Sequence, residues 1–147
     1  MEITISHAGN TSKPAIIDLL VAEKLPVQDL PVTLDNFVIA TGNNAIIGTA
    51  GLEVYGSYGL LRSVVVNSNY RNNNIAAMLI KAIEENAANK GLAEIYLLTE
   101  TAQQYFEKKG YAVTGREEVP EAVKQSSEFS HVCPVSAVVM KKKIIVP

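Results

Sequence analysis

The stretch Tyr70-Arg71-Asn72-Asn73-Asn74-Ile75-Ala76-Ala77 sets one arginine and three consecutive asparagines between an apolar run, LLRSVVV (60–66), and a segment of helical period, MLIKAIEENAANKG (78–91). Asparagine is a poor helix former, and its side chain competes for backbone hydrogen bonds. Three of them where a helix must begin call for a reason. A strand that runs through a loop into a long helix can bind an anion at the helix N-terminus, where free N–H groups and the positive end of the dipole converge. Such a loop needs residues that tolerate left-handed φ, glycine first and asparagine next. Arg71 adds a guanidinium suited to phosphate. Two readings stay open on these residues alone: an anion cradle in which asparagine does a glycine's work, or asparagines that only cap a structural helix.

Arg62 stands inside the apolar strand, where a charge needs a partner. It is either a bidentate clamp for a substrate carboxylate or half of an internal pair with a carboxylate such as Glu53 or Glu100. Ser63, next to it, points to the opposite face of a regular strand. Other acid–base groups are few, with histidine only at His7 and His131. His131 and Cys133 share a face on an extended segment, but no third group accompanies them, and lone buried cysteines are usually inert packing. One cysteine and two histidines give no metal-ligand spacing, so no metal is expected. The run Lys141-Lys142-Lys143 reads as a solvated strand end.

The elements that must position these groups follow from periodicity. EITISH (2–7) alternates as a first strand. A helix capped by Thr11 or Ser12, with Pro14 in its first turn, carries Ile16, Leu19 and Leu20 on one face and ends near Leu25. Strands are expected over 36–40, 45–54 and 60–66, joined by turns at Gly42-Asn43-Asn44 and Gly56–Gly59, which favours an antiparallel meander. Ile75, Met78, Leu79, Ala82, Ile83 and Ala87 define a long amphipathic helix ended by Gly91. The strand after it, 93–98, should run parallel to 60–66, because a helix crosses over between them. A short helix (102–109), a brief strand (111–113), a helical turn (121–127) and a final strand (135–145) complete an α/β domain with a mixed sheet.

Bulk properties narrow the function. The 147 residues fit one domain with a sizeable core. The formal charge of −2 offers no basic excess for a nucleic-acid backbone. A single cysteine suits a reducing compartment such as the cytoplasm. No signal peptide is evident, and no apolar run approaches the roughly 20 residues that span a bilayer, so no membrane partner is expected.

On this ground the chain resembles a family. Arg71 to Ala76 looks like the pyrophosphate-binding motif Q/R-x-x-G-x-G/A of the GCN5-related N-acetyltransferases (GNAT). Arg71 takes its first position, Ala76 its last, and Asn74 the place of the usual glycine, where left-handed φ is expected. YFEKKGY (105–111) is similar to the family's aromatic-rich ending of its fourth helix. LLRSVVV, YLLTETAQQYFEKKGY (96–111), Val119-Pro120-Glu121 and SSEFSHVCPVSAVVMKK (126–142) together resemble one subgroup, the arsenic-resistance-associated N-acetyltransferases, related to the acetyltransferase domain of N-acetylglutamate synthase.

The resemblance implies a GNAT-like mixed, mostly antiparallel sheet flanked by helices, with a splayed central parallel strand pair, and a single N-acetyltransferase domain over 1–147. It implies direct transfer of acetyl from acetyl-CoA to an amine. The loop Arg71, Asn72, Asn73, Asn74, Ile75, Ala76 and Ala77 would hold the pyrophosphate. The backbone of Val64, Val65 and Val66 would pair with the pantetheine arm like an added strand. The N–H near Val64 would polarise the thioester carbonyl, and Thr99 would touch the arm. A protonated amine needs a base or a water relay. Glu100 is the best-placed carboxylate by resemblance, its other reading being a carboxylate facing a helix dipole; Glu53 is a second candidate. Phe106 stands where relatives carry a tyrosine that meets the leaving thiolate, and Tyr105 points about a hundred degrees away. The implied acceptor is the α-amino group of a small acidic amino acid or an analogue, including organoarsenical or phosphinate amino acids, with Arg62 and Ser63 on the acceptor side. The alternatives are another small amine, a protein amine, or a non-catalytic CoA-binding protein. Relatives of this size often pair through C-terminal strands, so a homodimer is compatible with the resemblance.

Overall fold

Period-two patterning and left-handed turn residues build the sheet, seen here in a computed structural model that describes residues 2–25, 27, 30–31, 33–71, 74–126, 129 and 137–144. Its strands are β1 (Thr4–His7), β2 (Phe37–Gly42), β3 (Ala45–Tyr55), β4 (Tyr58–Val66), β5 (Glu94–Thr99), β6 (Ala112–Val113) and β7 (Val138–Lys143). Its helices are α1 (Lys13–Ala22), α2 (Ile75–Asn89), α3 (Gln103–Lys108) and the single turn α4 (Glu121–Lys124). The hydrogen-bonded order is β1-β2-β3-β4-β5-β7-β6. β1 with β2, β2 with β3, β5 with β7 and β6 with β7 run antiparallel, and β4 with β5 runs parallel. The parallel register joins Tyr58–Leu60 to Glu94–Tyr96, and both strands run on past it, β4 to Val66 and β5 to Thr99.

The chain divides into two compact units, residues 1–52 with 61–86, and residues 53–60 with 87–147. In the first, the β2–β3 hairpin turns on Asn43 and Asn44, both at positive φ (52° and 64°), as a type I′ turn requires. α1 buries Ile16, Leu19 and Leu20 against Leu34, Phe37, Ile39 and Val65. It stops at Ala22 because Lys24 turns left-handed (φ 60°). The Leu25 N–H then bonds the Leu20 carbonyl at 2.8 Å and the Lys24 N–H that of Val21 at 3.1 Å, a Schellman closure made without glycine. The helix therefore ends short of the expected Leu25. α2 buries Ile75, Leu79, Ile80 and Ile83, and a side chain at Gly48 would crowd Leu79 and the Val65 carbonyl.

In the second unit, Gly56 (φ 63°) and Ser57 make the turn into β4, which begins at Tyr58, two residues earlier than expected. Leu60, Tyr96, Val119, Val123 and Val139 form the core. Gly110 (φ 95°) ends the α3 turn, and Phe106 and Tyr111 meet edge to face at 5.6 Å. β7 lies between β5 and β6, and its lysines close the strand, Lys143 exposed and Lys141 and Lys142 half-buried. The Lys141 ammonium pairs with Glu94 at 3.5 Å, and that of Lys142 donates to the Lys109 carbonyl at 2.9 Å. An interior strand leaves such side chains only their aliphatic stems to bury, with the ammonium reaching a nearby oxygen.

Candidate active site

β4 carries one left-handed residue in its middle. Ser63 has φ 58°, a conformation that disfavours any residue with a Cβ by about 1–2 kcal/mol and that tends to cluster at functional positions. The alternation of side chains fails there, and the Arg62 Nε donates to the Ser63 Oγ at 3.1 Å. In a regular strand these neighbours would face opposite ways, so the expectation for Ser63 is corrected. Arg62 is only 3% exposed, although it carries a full charge. Val64 and Val66 are half-buried and Val65 is buried.

Past β4 the chain folds back on its own asparagine. The Asn67 N–H donates to the Ile47 carbonyl at 2.7 Å, and its side-chain oxygen accepts from the Asn69 N–H at 2.9 Å, an Asx turn. A 3-10 turn, Ser68–Tyr70, leads to Arg71 in extended conformation (φ −64°, ψ 159°). The Arg71 Nη2 pairs with Glu23 Oε1 at the end of α1. Asn72 and Asn73 lie outside the described residues. Asn74 follows with φ 60°, and its carbonyl accepts from the Met78 N–H at 3.1 Å, which opens α2. Asparagine therefore takes the left-handed conformation expected of it at this position. No acidic residue stands in the first turn of α2, so the amides there face no carboxylate of their own turn. Ile75 anchors the turn, 2% exposed, with Ala76 and Ala77 half-buried beside it. A cleft of about 450 Å³ is lined by Asp18, Leu19 and Glu23 of α1, Ile46 of β3 and the turn Asn67–Asn69.

The second unit holds the remaining candidates. Thr99 ends β5, and its Oγ1 accepts from the Ala102 N–H at 3.0 Å, which closes the turn into α3. Its strand-end role is thus visible. Glu100 is exposed and stands two residues before the Ala102 cap. The Glu53 carboxylate accepts from the Tyr55 hydroxyl at 2.5 Å. Phe106 is buried while Tyr105 is 37% exposed; the two rings meet edge to face at 5.4 Å, and partial burial pushes the Tyr105 phenol above its usual pKa. The Tyr96 phenol is pushed up to about 12 by burial and then by the Glu94 carboxylate, to which it donates at 3.1 Å. His7 is exposed on β1, and His131 and Cys133 lie outside the described residues. Among the described residues, no group of three or more His, Cys, Asp or Glu side chains is placed to hold a metal.

An apolar strand with a left-handed Ser63 and an arginine–asparagine loop that opens a helix lie in a segment that a family model also recognises. The acetyltransferase (GNAT) domain model matches residues 33–113. The chain belongs to that family. It is an acetyltransferase domain of the GNAT type. Among curated proteins, the GNAT domain is 22% identical over 135 residues to the amino-acid acetyltransferase of Pasteurella multocida, covering 86% of this chain and 31% of that one. Over 100 residues it is 26% identical to the amino-acid acetyltransferase of Escherichia coli K12, covering 67% of this chain and 23% of that one. The chain therefore spans less than a third of the length of these relatives. Among solved structures, N-acetylglutamate synthase from Neisseria gonorrhoeae, complexed with coenzyme A and N-acetyl-glutamate, superposes with a TM-score of 0.84 at 16% identity, over 99% of this chain and 36% of that one. Rv2747 from Mycobacterium tuberculosis, in complex with CoA, gives 0.83 at 20% identity, over 97% and 99%. These likenesses bear on the fold.

Within the GNAT domain, one continuous stretch of the first unit carries Arg62, Ser63, Val64, Val65, Val66, Arg71, Asn74, Ile75, Ala76 and Ala77. Thr99 and Glu100 belong to the second. Two features escaped the sequence reading. Serine has no left-handed preference that would mark Ser63. Glu23 lies 48 residues from Arg71, with nothing in its neighbourhood to tie it to the loop.

Proposed function

We propose that the 147 residues act as one N-acetyltransferase domain that acetylates the α-amino group of a small acidic amino acid or an analogue of one. Acetyl-CoA lays its pyrophosphate on Arg71 and the amides from Asn72 to Ala77. Its pantetheine arm runs along the backbone of Val64, Val65 and Val66. The Val64 N–H polarises the thioester carbonyl as negative charge develops on its oxygen. Arg62, with Ser63, holds the acceptor carboxylate. A base takes the amine proton, directly or through water, before the nitrogen attacks, and Glu100 is the candidate for it. The amine lone pair forms the new C–N bond, the C–S bond breaks, and the nitrogen sheds its second proton, which reaches the leaving thiolate through water to give CoA, since Phe106 offers no proton.

The observation that carries the acidic acceptor is Arg62, a guanidinium 3% exposed beside the left-handed Ser63. A buried cation gains most from a carboxylate that meets its planar fork bidentately. The amino-acid acetyltransferases among the relatives support an amino acid as acceptor. The test is CoA thiol release from acetyl-CoA over a panel of amino acids, polyamines and peptides, with an acceptor-free blank. Glutamate-dependent release, with Arg62→Ala raising KM for glutamate more than for acetyl-CoA, supports the reading. Equal small effects on both KM values discard the clamp. A second reading, a basic amine as acceptor, is favoured by the cleft that brings Asp18 and Glu23 to one wall; release with polyamines alone would select it.

A further inference from the structure

The ion pair between Arg71 and Glu23 joins two very different kinds of backbone. Arg71 sits on an irregular loop with its side chain 55% exposed. Left to itself, such a side chain samples many rotamers and loses that freedom when an anion binds. Glu23 caps the C-terminal end of α1, a helix pinned by Ile16, Leu19 and Leu20 and closed by the Lys24 turn. Its carboxylate is only 28% exposed. A carboxylate at this end of a helix opposes the dipole, and no basic residue stands in the last turn of α1 to offset it. The cation that faces it comes from the loop.

We propose that Glu23 is a positioning residue for the cofactor site, holding the Arg71 guanidinium against the end of α1 so that the pyrophosphate meets an oriented arginine. This rests on the reading of Arg71–Ala77 as the cofactor cradle. The guanidinium is a rigid planar fork of five N–H donors. Tying Nη2 to a carboxylate on a fixed helix orients the whole plane, and the loop that carries it, before the ligand arrives. The gain is preorganisation and not a new contact to the ligand. Glu23 therefore has no effect of its own once Arg71 is gone, and none on a ligand without phosphate.

The experiment measures binding by calorimetry on the full chain and four variants: Glu23→Ala, Glu23→Gln, Arg71→Ala and the double variant Glu23→Ala with Arg71→Ala. The probes are CoA and pantetheine, which lacks the pyrophosphate. Glu23→Ala is expected to weaken CoA about threefold to fivefold, the factor an exposed, salt-screened pair can supply, and to leave pantetheine unchanged. Glu23→Gln, which keeps an acceptor oxygen in the same shape, should fall between wild type and Glu23→Ala, and it carries the test if the alanine variant does not fold. The double variant should match Arg71→Ala. CoA binding that is unchanged or tighter in Glu23→Ala would make Glu23 idle or a competitor of the phosphate, and would overturn the inference. So would losses that multiply in the double variant, or an equal loss for pantetheine. If Arg71→Ala itself leaves CoA affinity intact, the cradle reading falls and takes this inference with it; a silent Glu23→Ala beside an impaired Arg71→Ala removes the inference alone.

Discussion

Asn74 is the sharpest place to test the link from backbone to function. At φ 60° a glycine fits without strain, an asparagine with little, and a β-branched residue is a steric outlier. Asn74→Val should therefore incur the left-handed penalty of about 1–2 kcal/mol. With unfolding entropy near 2.1 cal/mol/K per residue, a chain of 147 residues shifts its Tm by about 3 °C per kcal/mol. If the loop holds its shape, Asn74→Val should melt about 3–6 °C lower. If the loop relaxes to negative φ instead, Tm stays put and the same penalty emerges in the Kd for CoA, weakened roughly fivefold to thirtyfold. Asn74→Gly relieves the residual strain but adds freedom to the unfolded chain, worth about 0.4–1 kcal/mol, so its Tm should stay within about 2–3 °C of wild type and CoA should bind as well or better. Thermal melts with and without CoA, combined with calorimetry, separate these arms. Asn74→Val matching wild type in both Tm and Kd would refute the left-handed assignment and its place in the cradle.

Ser63→Gly should keep Tm within about 3 °C, whereas Ser63→Val, forced into φ 58°, should lower it by about 3–6 °C; equal melts for the two would refute the left-handed Ser63. A Cβ at Gly51 would overlap the ring of Phe37, which is 1% exposed, so Gly51→Ala should cost about 1–3 kcal/mol by overpacking, and Phe37→Leu in the same chain should recover part of it, both read by denaturant unfolding. The Tyr96 phenol, ordinarily near 10 and pushed up to about 12 in the fold, stays protonated over a window in which the unfolded chain loses that proton. Its contribution to stability is therefore full below pH 10 and is lost as pH rises toward 12; Tyr96→Phe should flatten the fall in stability over that window, and an unchanged slope would show that Tyr96 does not supply it.

Much of the scaffold was legible because single residue types signalled it. The Asn43-Asn44 turn, the glycine stops at Gly56, Gly91 and Gly110 (all at positive φ) and the period of α2 each stand in a short window of sequence. The parallel run of β4 beside β5 followed from the crossover helix, and the left-handed Asn74 from what asparagine tolerates. The left-handed conformation of Ser63 was not legible, because it is imposed by the surroundings of β4 and serine does not announce it. Glu23 was hidden by sequence distance. The interior place of β7 was not legible, because strand order is not encoded in local patterning. The residues from 131 to 136, where His131 and Cys133 were weighed as a pair, lie outside the described structure.

The place of β7 also bears on how the chain reaches its fold. Thr99 pairs with Val138 and Glu94 with Lys143, and β6 joins the sheet through β7. The second unit's sheet therefore waits for a segment made after both of its neighbours to slot between them. On a ribosome, β5 emerges with one edge lacking its eventual neighbour, and an unpaired apolar edge is a template for pairing with other chains. The first unit's hairpin and helices can close meanwhile through contacts nearer in sequence. Refolding should thus show an early phase from the first unit and a slower one when β7 docks, as non-local pairing is the slow step in such topologies. Aggregation during synthesis should concentrate on chains halted before Val138.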